Sequence, residues 1–524
     1  MNLNLITDSW IPVRTDQGKR VIAPHDIAEP SIRFPDWPRP DFNLNTLELL
    51  IGMVSIAIAP ADEDEWREAG DEINPATLAG RLAPLAPYFS LLGDGAYRFM
   101  QDLADIDCST NPAEALLIDA AGENTAKKNA DLMVHRGRYL GFDLPTAAIA
   151  LYTLQNSAPA GGAGNRTSLR GGGPLTTLVV PHDNATLWEI VWTNVPFGTP
   201  CADEDAIKRA LPWCRPTLTS EKGAGGVTFP SGGNDSVSPE VFFGMPRRIR
   251  LQASQGVVTG WMQAPWGTNY SHFEHPLSPY YQNTNAKPHD PPRLPLHPKP
   301  GTLSYRDWLG LSLRRAPGDG CAVARCVSEA EVKLDRQDAR NRLLVAGWSM
   351  SNMTPVDFQW SEIPLYLGMS EEAEAAARQM VDAAGLAAAS LVKQLCIALG
   401  VTKGDGVALA PEREGLFHET QSAFEDMLAR LSAGEDTMRL KVEWFHIVER
   451  AALRRFDAAV LPGLSVRDIS HPSQRADANK VPPGSAEAVA QARSSLRRGM
   501  WSRRMLTDTL GLTKEQIAKS EEAV

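Results

Sequence analysis

Cysteine is scarce and scattered in this chain. Six cysteines (Cys108, Cys201, Cys214, Cys321, Cys326 and Cys396) occur in 524 residues, with no Cys-x-x-Cys anywhere and no spacing that matches a zinc site. They read as reduced thiols, so no disulfide framework, bound metal or cofactor is expected. Long hydrophobic runs are also missing. The best stretch, 49–60, is broken at Gly52 and Ser55 and falls short of the ~20 apolar residues a membrane helix needs. Met1-Asn2-Leu3-Asn4 lacks the basic start of a secretory signal, and the expectation is a cytoplasmic protein without a membrane partner. Positive charge is short as well: 52 Lys and Arg against 63 Asp and Glu give −11, which argues against binding nucleic acid by average charge but leaves local basic patches open.

Catalytic signatures are missing too. No Gly-x-Ser-x-Gly elbow or Walker-type phosphate loop is present. His418-Glu419-Thr420-Gln421-Ser422 lacks the second histidine of a zinc protease, and His272 and His275 have no further ligands at metal spacing. The chain is expected not to be an enzyme.

What is present is ordinary globular composition, 43% hydrophobic and 22% charged, over a length that suggests two to four domains. Residues 3–13 suggest a short strand ending near Pro12. Residues 45–59 suggest a helix capped by Asn45 and stopped by Pro60. Residues 146–154 read as buried, and 175–180 and 188–195 as strands. Eight prolines between Pro276 and Pro300 favour an extended, solvated loop. From Ser370 an alanine-rich helix runs to Gly400. Three apolar stripes follow: Phe417, Phe424, Met427, Leu428, Leu431; then Val442, Phe445, Val448, Ala452, Phe456; then Val489, Ala492, Leu496, Met500. The expected fold is α+β: a large, irregular mixed α/β N-terminal domain over 1–368 and a C-terminal four-helix bundle over 369–524.

Four segments carry possible chemistry. Between Gly161 and Gly173 lie six glycines, whose lack of a Cβ permits close backbone approach to a ligand. With Arg166 and Arg170 beside them, exposed N–H groups there suit phosphates or groove edges; a flexible surface loop is the plain alternative. The basic stretch 127–138 offers donors for phosphates, or is a solvated loop. Met350-Ser351-Asn352-Met353 suits an apolar wedge between bases, or a core turn. Finally, Arg493, Arg497, Arg498, Arg503 and Arg504 lie together without an intervening acid, and Arg493, Arg497 and Arg504 recur near helical spacing. They suit DNA phosphates, a solvated face or a neighbouring subunit.

Taken together, Leu5-Ile6-Thr7-Asp8-Ser9-Trp10-Ile11-Pro12-Val13, Phe99-Met100-Gln101, Thr167-Ser168-Leu169-Arg170-Gly171-Gly172-Gly173-Pro174 and Gly347-Trp348-Ser349-Met350 resemble one family. It is the large subunit, CasA, of the Cascade surveillance complex of type I-E CRISPR systems. The resemblance implies a non-catalytic subunit that recognises the protospacer-adjacent motif (PAM) in double-stranded DNA, helps open the duplex and recruits a helicase–nuclease. Its implied partners are the other Cascade subunits, the guide CRISPR RNA and target DNA. It implies DNA contacts at Ala160, Gly161, Gly162, Ala163, Gly164, Asn165 and Arg166 and a wedge at Ser351, Asn352 and Met353. A PAM-contacting lysine of the family falls near Asn285, with Lys287 as the substitute. Guide-RNA contacts fall at Lys128, Asn129, Asp131, His135 and Arg136. The last-helix arginines (Arg493, Arg497, Arg498, Arg504) are read as DNA-backbone contacts from charge alone. Some relatives carry a zinc-binding cysteine cluster that 250–275 lacks here, so zinc is not carried over. The reading from a different class is a nucleotide-dependent enzyme using the 161–173 glycines.

Overall fold

Pro40–Ile58 forms a helix that is apolar nearly all round and buried over most of its length, the pattern of a core helix. It begins five residues before the expected cap. Pro40 at its first position supplies a preset φ, and Asn45 lies inside the helix, donating from Nδ2 to the Asp41 carbonyl at 2.8 Å. Gly52 does not break it: a Cβ there would stand 2.7 Å from the Phe242 Cβ, so the glycine is where Phe242 seats. The chain is seen in a computed structural model that describes residues 2–93, 95–122, 126–129, 131, 136–162, 164–221, 227–228, 238–301, 303–314, 321–334, 341–401, 409–462, 464, 481 and 484–521. It is a mixed α/β structure in two units, Met1–Thr302 with Asp319–Leu367, and Leu303–Gly318 with Gly368–Val524.

In the first unit the core helix packs against the helix Leu144–Ser157, the short helix Leu187–Asn194 and the 3-10 turn Pro239–Phe243. Small sheets surround it. Ile11–Thr15 pairs with Gly18–Ile22 and Ile32–Pro35, so the first strand starts at Ile11 rather than ending near Pro12. Arg248–Ser254 and Val257–Ala264 pair as an antiparallel hairpin. Arg342–Ser351 is the centre of a third sheet, between Thr354–Pro364 and Thr176–Val180.

Two further expectations fail for local reasons. The 188–195 segment is helical, because Thr186 and Glu189 form a capping box and Leu187, Ile190 and Val191 fall on one buried face. The proline-rich stretch is partly packed: Leu277 is fully buried and Tyr280–Gln282 pairs antiparallel with Arg293–Pro295. The turn at 284–290 is exposed throughout, as are Tyr281, Gln282, Arg293, Lys299 and Pro300.

In the second unit Ser370 caps the helix Glu371–Leu399, accepting from the Ala373 N–H at 3.2 Å, and Gly400 ends it at φ +70°. This long helix packs against Ala410–Ser432, Thr437–Val460 and Ala486–Met500, and every residue of the three later apolar stripes is buried. Leu303–Gly318 joins this unit although it lies far upstream in sequence. Tyr305 stacks on Phe424 at 4.4 Å between centroids and shares a 2.7 Å hydrogen bond with Thr420, so aromatic packing draws the segment there.

Among the described residues two helices, Pro40–Ile58 and Glu371–Leu399, are long and apolar enough by length and composition to cross a membrane, which the sequence reading did not expect. The best window of the first is 83% buried inside the protein and that of the second 44%.

Candidate nucleic-acid interface

The strand Arg342–Ser351 keeps both neighbours only as far as Ala346; beyond it, Gly347 to Ser351 pairs with Thr354–Pro364 alone and forms a two-stranded arm. Asn352 and Met353 make its two-residue turn, with φ of +50° and +61°. Both central residues are therefore left-handed, as the twist of a tight hairpin demands. Asparagine suits that conformation, whereas methionine at the second position stands where glycine is usual. Ser351, Asn352 and Met353 are exposed, so this motif is a protruding tip and not a core turn.

The glycine stretch lies against this tip. A Cβ on Gly172 would stand 3.0 Å from the Met353 Sδ and 3.2 Å from the Pro159 Cα, and one on Gly173 would stand 2.3 Å from the Trp348 carbonyl oxygen. Gly171 and Gly173 take φ of +88° and +66°. These glycines thus let the loop pass close beneath the hairpin. The stretch leads from the end of the helix Leu144–Ser157 into the strand Thr176–Val180, and no helix N-terminus follows it to cradle a phosphate as in nucleotide-binding loops.

The first half of the loop is the open half. Ala160, Gly161 and Gly162 are exposed, and Gly162 has nothing within 4 Å of a Cβ. Ala163 lies outside the described residues. A tight turn is closed by Gly161 N donating to Asn165 O at 3.2 Å and Asn165 N donating to Gly162 O at 3.1 Å. Gly164, at φ +73°, is a packed position: its Cβ would stand 2.5 Å from the Trp266 ring. Arg166 is half-buried, donating from Nε to Ser220 Oγ at 2.7 Å and lying over the Trp266 ring at 5.9 Å.

Arg170 does not face solvent, contrary to the expectation that it flanks exposed donors. It is 3% exposed and forks onto Glu48 at 2.6 and 2.8 Å, with Thr176 and Ser278 each accepting at 3.1 Å. Asn156 donates to the same carboxylate at 3.0 Å, and His275 Nε2 lies 3.2 Å from it. Burial alone would raise Glu48, but Arg170 and His275 outweigh it and hold the carboxyl at about 2. Burial pushes His275 down to about 4, Arg170 adding to the effect against Glu48. Its Nδ1 accepts the Leu277 N–H at 3.2 Å, so the neutral ring carries its proton on Nε2, which lies close to Glu48 without an aligned hydrogen bond. This cluster ties the core helix, the glycine stretch and the start of the proline-rich segment together under the hairpin. Sequence reading missed Glu48 and dismissed His275 as an incomplete metal ligand; no local pattern links residues 48, 156, 170 and 275.

The other expected contacts lie in separate places. Asn285 and Lys287 are exposed in the turn joining Tyr280–Gln282 to Arg293–Pro295, where the Lys287 N–H donates to Asp290 at 2.9 Å. Lys128 and Asn129 are exposed. Arg136 forks onto Asp131 and donates to the Ala126 carbonyl at 2.8 Å, while the Gly137 N–H donates to Glu114 at 2.9 Å. His135 lies outside the described residues.

In the second unit the arginine stripe is interrupted. The helix ends at Met500, and Arg504 opens a separate π-helical turn, Arg504–Leu510, so it does not share a helix face with Arg493 and Arg497. Arg493 forks onto Asp457 at 2.7 and 2.9 Å and Arg497 lies 3.9 Å from Glu449. The acids missing from the local sequence come from the neighbouring helix. Arg498 and Arg504 are exposed, and Arg498 reaches only Ser495, at 3.0 Å, among the described partners.

The fold has close likenesses among solved structures. Cse1 of Thermobifida fusca superposes with a TM-score of 0.72 at 18% identity, over 96% of this chain and 98% of its own. CasA of Thermus thermophilus gives 0.71 at 19%, over 95% and 99%. A chain of a CRISPR RNA-guided surveillance complex gives 0.65 at 14%, over 96% and 100%. At these identities the likeness is one of fold. Residues 4–455 in addition match the family of CRISPR-associated protein Cse1, and the chain therefore belongs to the Cse1 (CasA) family.

Proposed function

We propose that this protein is the non-catalytic large subunit of an RNA-guided Cascade complex, and that it recognises the PAM in duplex DNA and starts its opening. The observation that carries this reading is that Gly172 borders two elements, Met353 of the exposed turn (3.0 Å from a Cβ to its sulfur) and Pro159 (3.2 Å to its Cα), which immediately precedes the exposed residues 160–162. A glycine backbone without side chains suits the minor groove, whose donor and acceptor code is degenerate. An apolar, exposed methionine beside it suits insertion between base steps, a device that unstacks DNA at a cost of a few kcal/mol per step.

Further contacts follow from the same reading. Asn285 and Lys287 approach the PAM duplex, and Lys128, Asn129, Asp131, His135 and Arg136 form the loop that meets the guide RNA. The helical unit is a four-helix bundle that holds DNA backbone through Arg498 and Arg504 and helps dock the helicase–nuclease.

The test is binding of PAM-bearing duplex by the assembled complex. Replacing Asn352 and Met353 together with alanine should impair strand opening more than first contact, and a pre-opened target should restore it. Equal defects on intact and pre-opened duplex would remove the wedge from the proposal.

A further inference from the structure

Arg247 is a buried cation with little to hold it. It is 7% exposed, and among the described residues its guanidinium donates only to the carbonyl of Pro159, leaving the buried Nε without an acceptor. No described carboxylate pairs with it, and burial pulls the guanidinium down to about 10. A guanidinium carries five N–H donors, and an uncompensated charge in the interior is costly. Two other buried cations have a carboxylate, Arg170 with Glu48 and Lys333 with Glu329 and the carbonyls of Thr193 and Val195, whereas Lys441 donates to the Gln379 side chain at 3.2 Å.

The place of this cation is informative. Pro159 immediately precedes the exposed backbone at 160–162. Gly267 is pressed so closely on the turn before Arg247 that a Cβ there would stand 1.7 Å from the Pro246 carbonyl oxygen, and its N–H donates to Gly164 O at 3.3 Å. Arg166 covers the neighbouring Trp266, a 37% exposed indole whose own φ is +61°. The Arg166 guanidinium thus lies over Trp266, while the Arg247 backbone abuts Gly267 and its guanidinium reaches the Pro159 carbonyl just before the glycine loop. The described partners of both are hydroxyl and carbonyl oxygens rather than carboxylates.

We propose that Arg247, with Arg166, forms a phosphodiester-binding site at the root of the glycine loop, completed when a backbone phosphate of the bound DNA supplies the missing anion. The proposal rests on the reading of 160–162 as DNA-facing, and it adds a sequence-independent anchor to that groove contact. An arginine fork receives two phosphate oxygens at once, and the Trp266 indole beneath Arg166 offers an apolar face to the adjoining sugar or base. Arg247 is a positioning residue in this account: it fixes where the strand crosses the loop and reads no base.

The test uses Arg247→Met and Arg247→Lys in the full chain and in the assembled complex. Inorganic phosphate should raise the melting temperature of the wild-type chain and leave that of Arg247→Met unmoved. Without phosphate, Arg247→Met should melt no lower than wild type, since a buried unpaired charge has been removed. In the complex it should weaken every duplex roughly tenfold, as loss of a charged hydrogen bond does. The log–log salt slope should become shallower by ~0.7 to 0.9, the share of one phosphate, and Arg247→Lys should restore it. The ratio of affinities for PAM-bearing and PAM-less duplex should stay as in wild type. A lower melting temperature with an unchanged slope overturns the proposal, for Arg247 then only braces the Pro159 carbonyl. If Arg247→Met does not fold, Arg166→Gln carries the same slope test, and an unchanged slope overturns the site. A wild-type complex without PAM preference would instead bring down the reading of the loop, while the phosphate response would still report on the site.

Discussion

Met353 covers Gly172: a Cβ on the glycine would come within 3.0 Å of the methionine sulfur. The pair joins two segments 181 positions apart in the chain, the glycine stretch and the hairpin turn. Gly172 is therefore a seat for the tip, and Gly162, with nothing within 4 Å, is the open glycine of the same loop.

The two glycines should respond differently. Gly172→Leu should push the hairpin tip away, so that strand opening fails while the first contact with DNA persists. Gly162→Leu should leave melting unchanged, because its site is open, yet weaken duplex binding by blocking close backbone approach. Melting and duplex affinity of both variants check this, and identical effects of the two would contradict the division of the loop.

Met353 holds a left-handed backbone at φ +61°. Glycine would relieve strain on the order of 1 kcal/mol, offset in part by greater freedom of the unfolded chain. Met353→Gly should therefore melt at or slightly above wild type and still open duplex poorly. A stability loss above ~1 kcal/mol would show that the methionine serves packing rather than insertion.

Acid should destabilise the first unit in two stages. Folded His275 stays neutral down to about 4, whereas an ordinary imidazole takes a proton at 6.5, so between these values the unfolded chain binds more protons and stability falls as pH drops. Glu48 adds a second loss, from the ordinary 4.5 down to about 2, as its carboxylate is protonated and Arg170 loses its counter-charge. Unfolding measured from pH 7 to 4 should show the first stage in wild type and a flatter curve in His275→Gln. Glu48→Gln should cost about 3 to 5 kcal/mol at neutral pH, because Arg170 is left buried and unpaired.

The arginines of the second unit should separate into two groups. Arg493→Ala breaks a part-exposed pair with Asp457 and should cost at most ~1 kcal/mol without altering the salt dependence of DNA binding. Replacing Arg498 and Arg504 with glutamate should weaken all targets alike and make the salt slope shallower by ~0.7 to 0.9 per lost phosphate. An unchanged slope in a normally assembled complex would assign these residues to a protein neighbour or to solvent.

Much of the helical unit was legible in advance. The stripes ending in Leu431, Phe456 and Met500 are all buried, and Ser370 and Gly400 bound their helix, because capping and helical periodicity are local properties written within a few residues. The motif Met350-Ser351-Asn352-Met353 could be singled out from sequence, as could the six glycines. Sequence could not say which glycines are open and which are occupied, because Gly164 answers to Trp266 and Gly172 to Met353, contacts made over about a hundred residues or more. Nor could it show that Arg170 belongs to Glu48, that Arg493 belongs to Asp457 or that Arg247 goes without a carboxylate among the described residues. A side chain's charge is fixed by its type, but whether that charge is spent inside the fold or left for a ligand depends on which distant group lies within 3 Å, and only tertiary packing decides that.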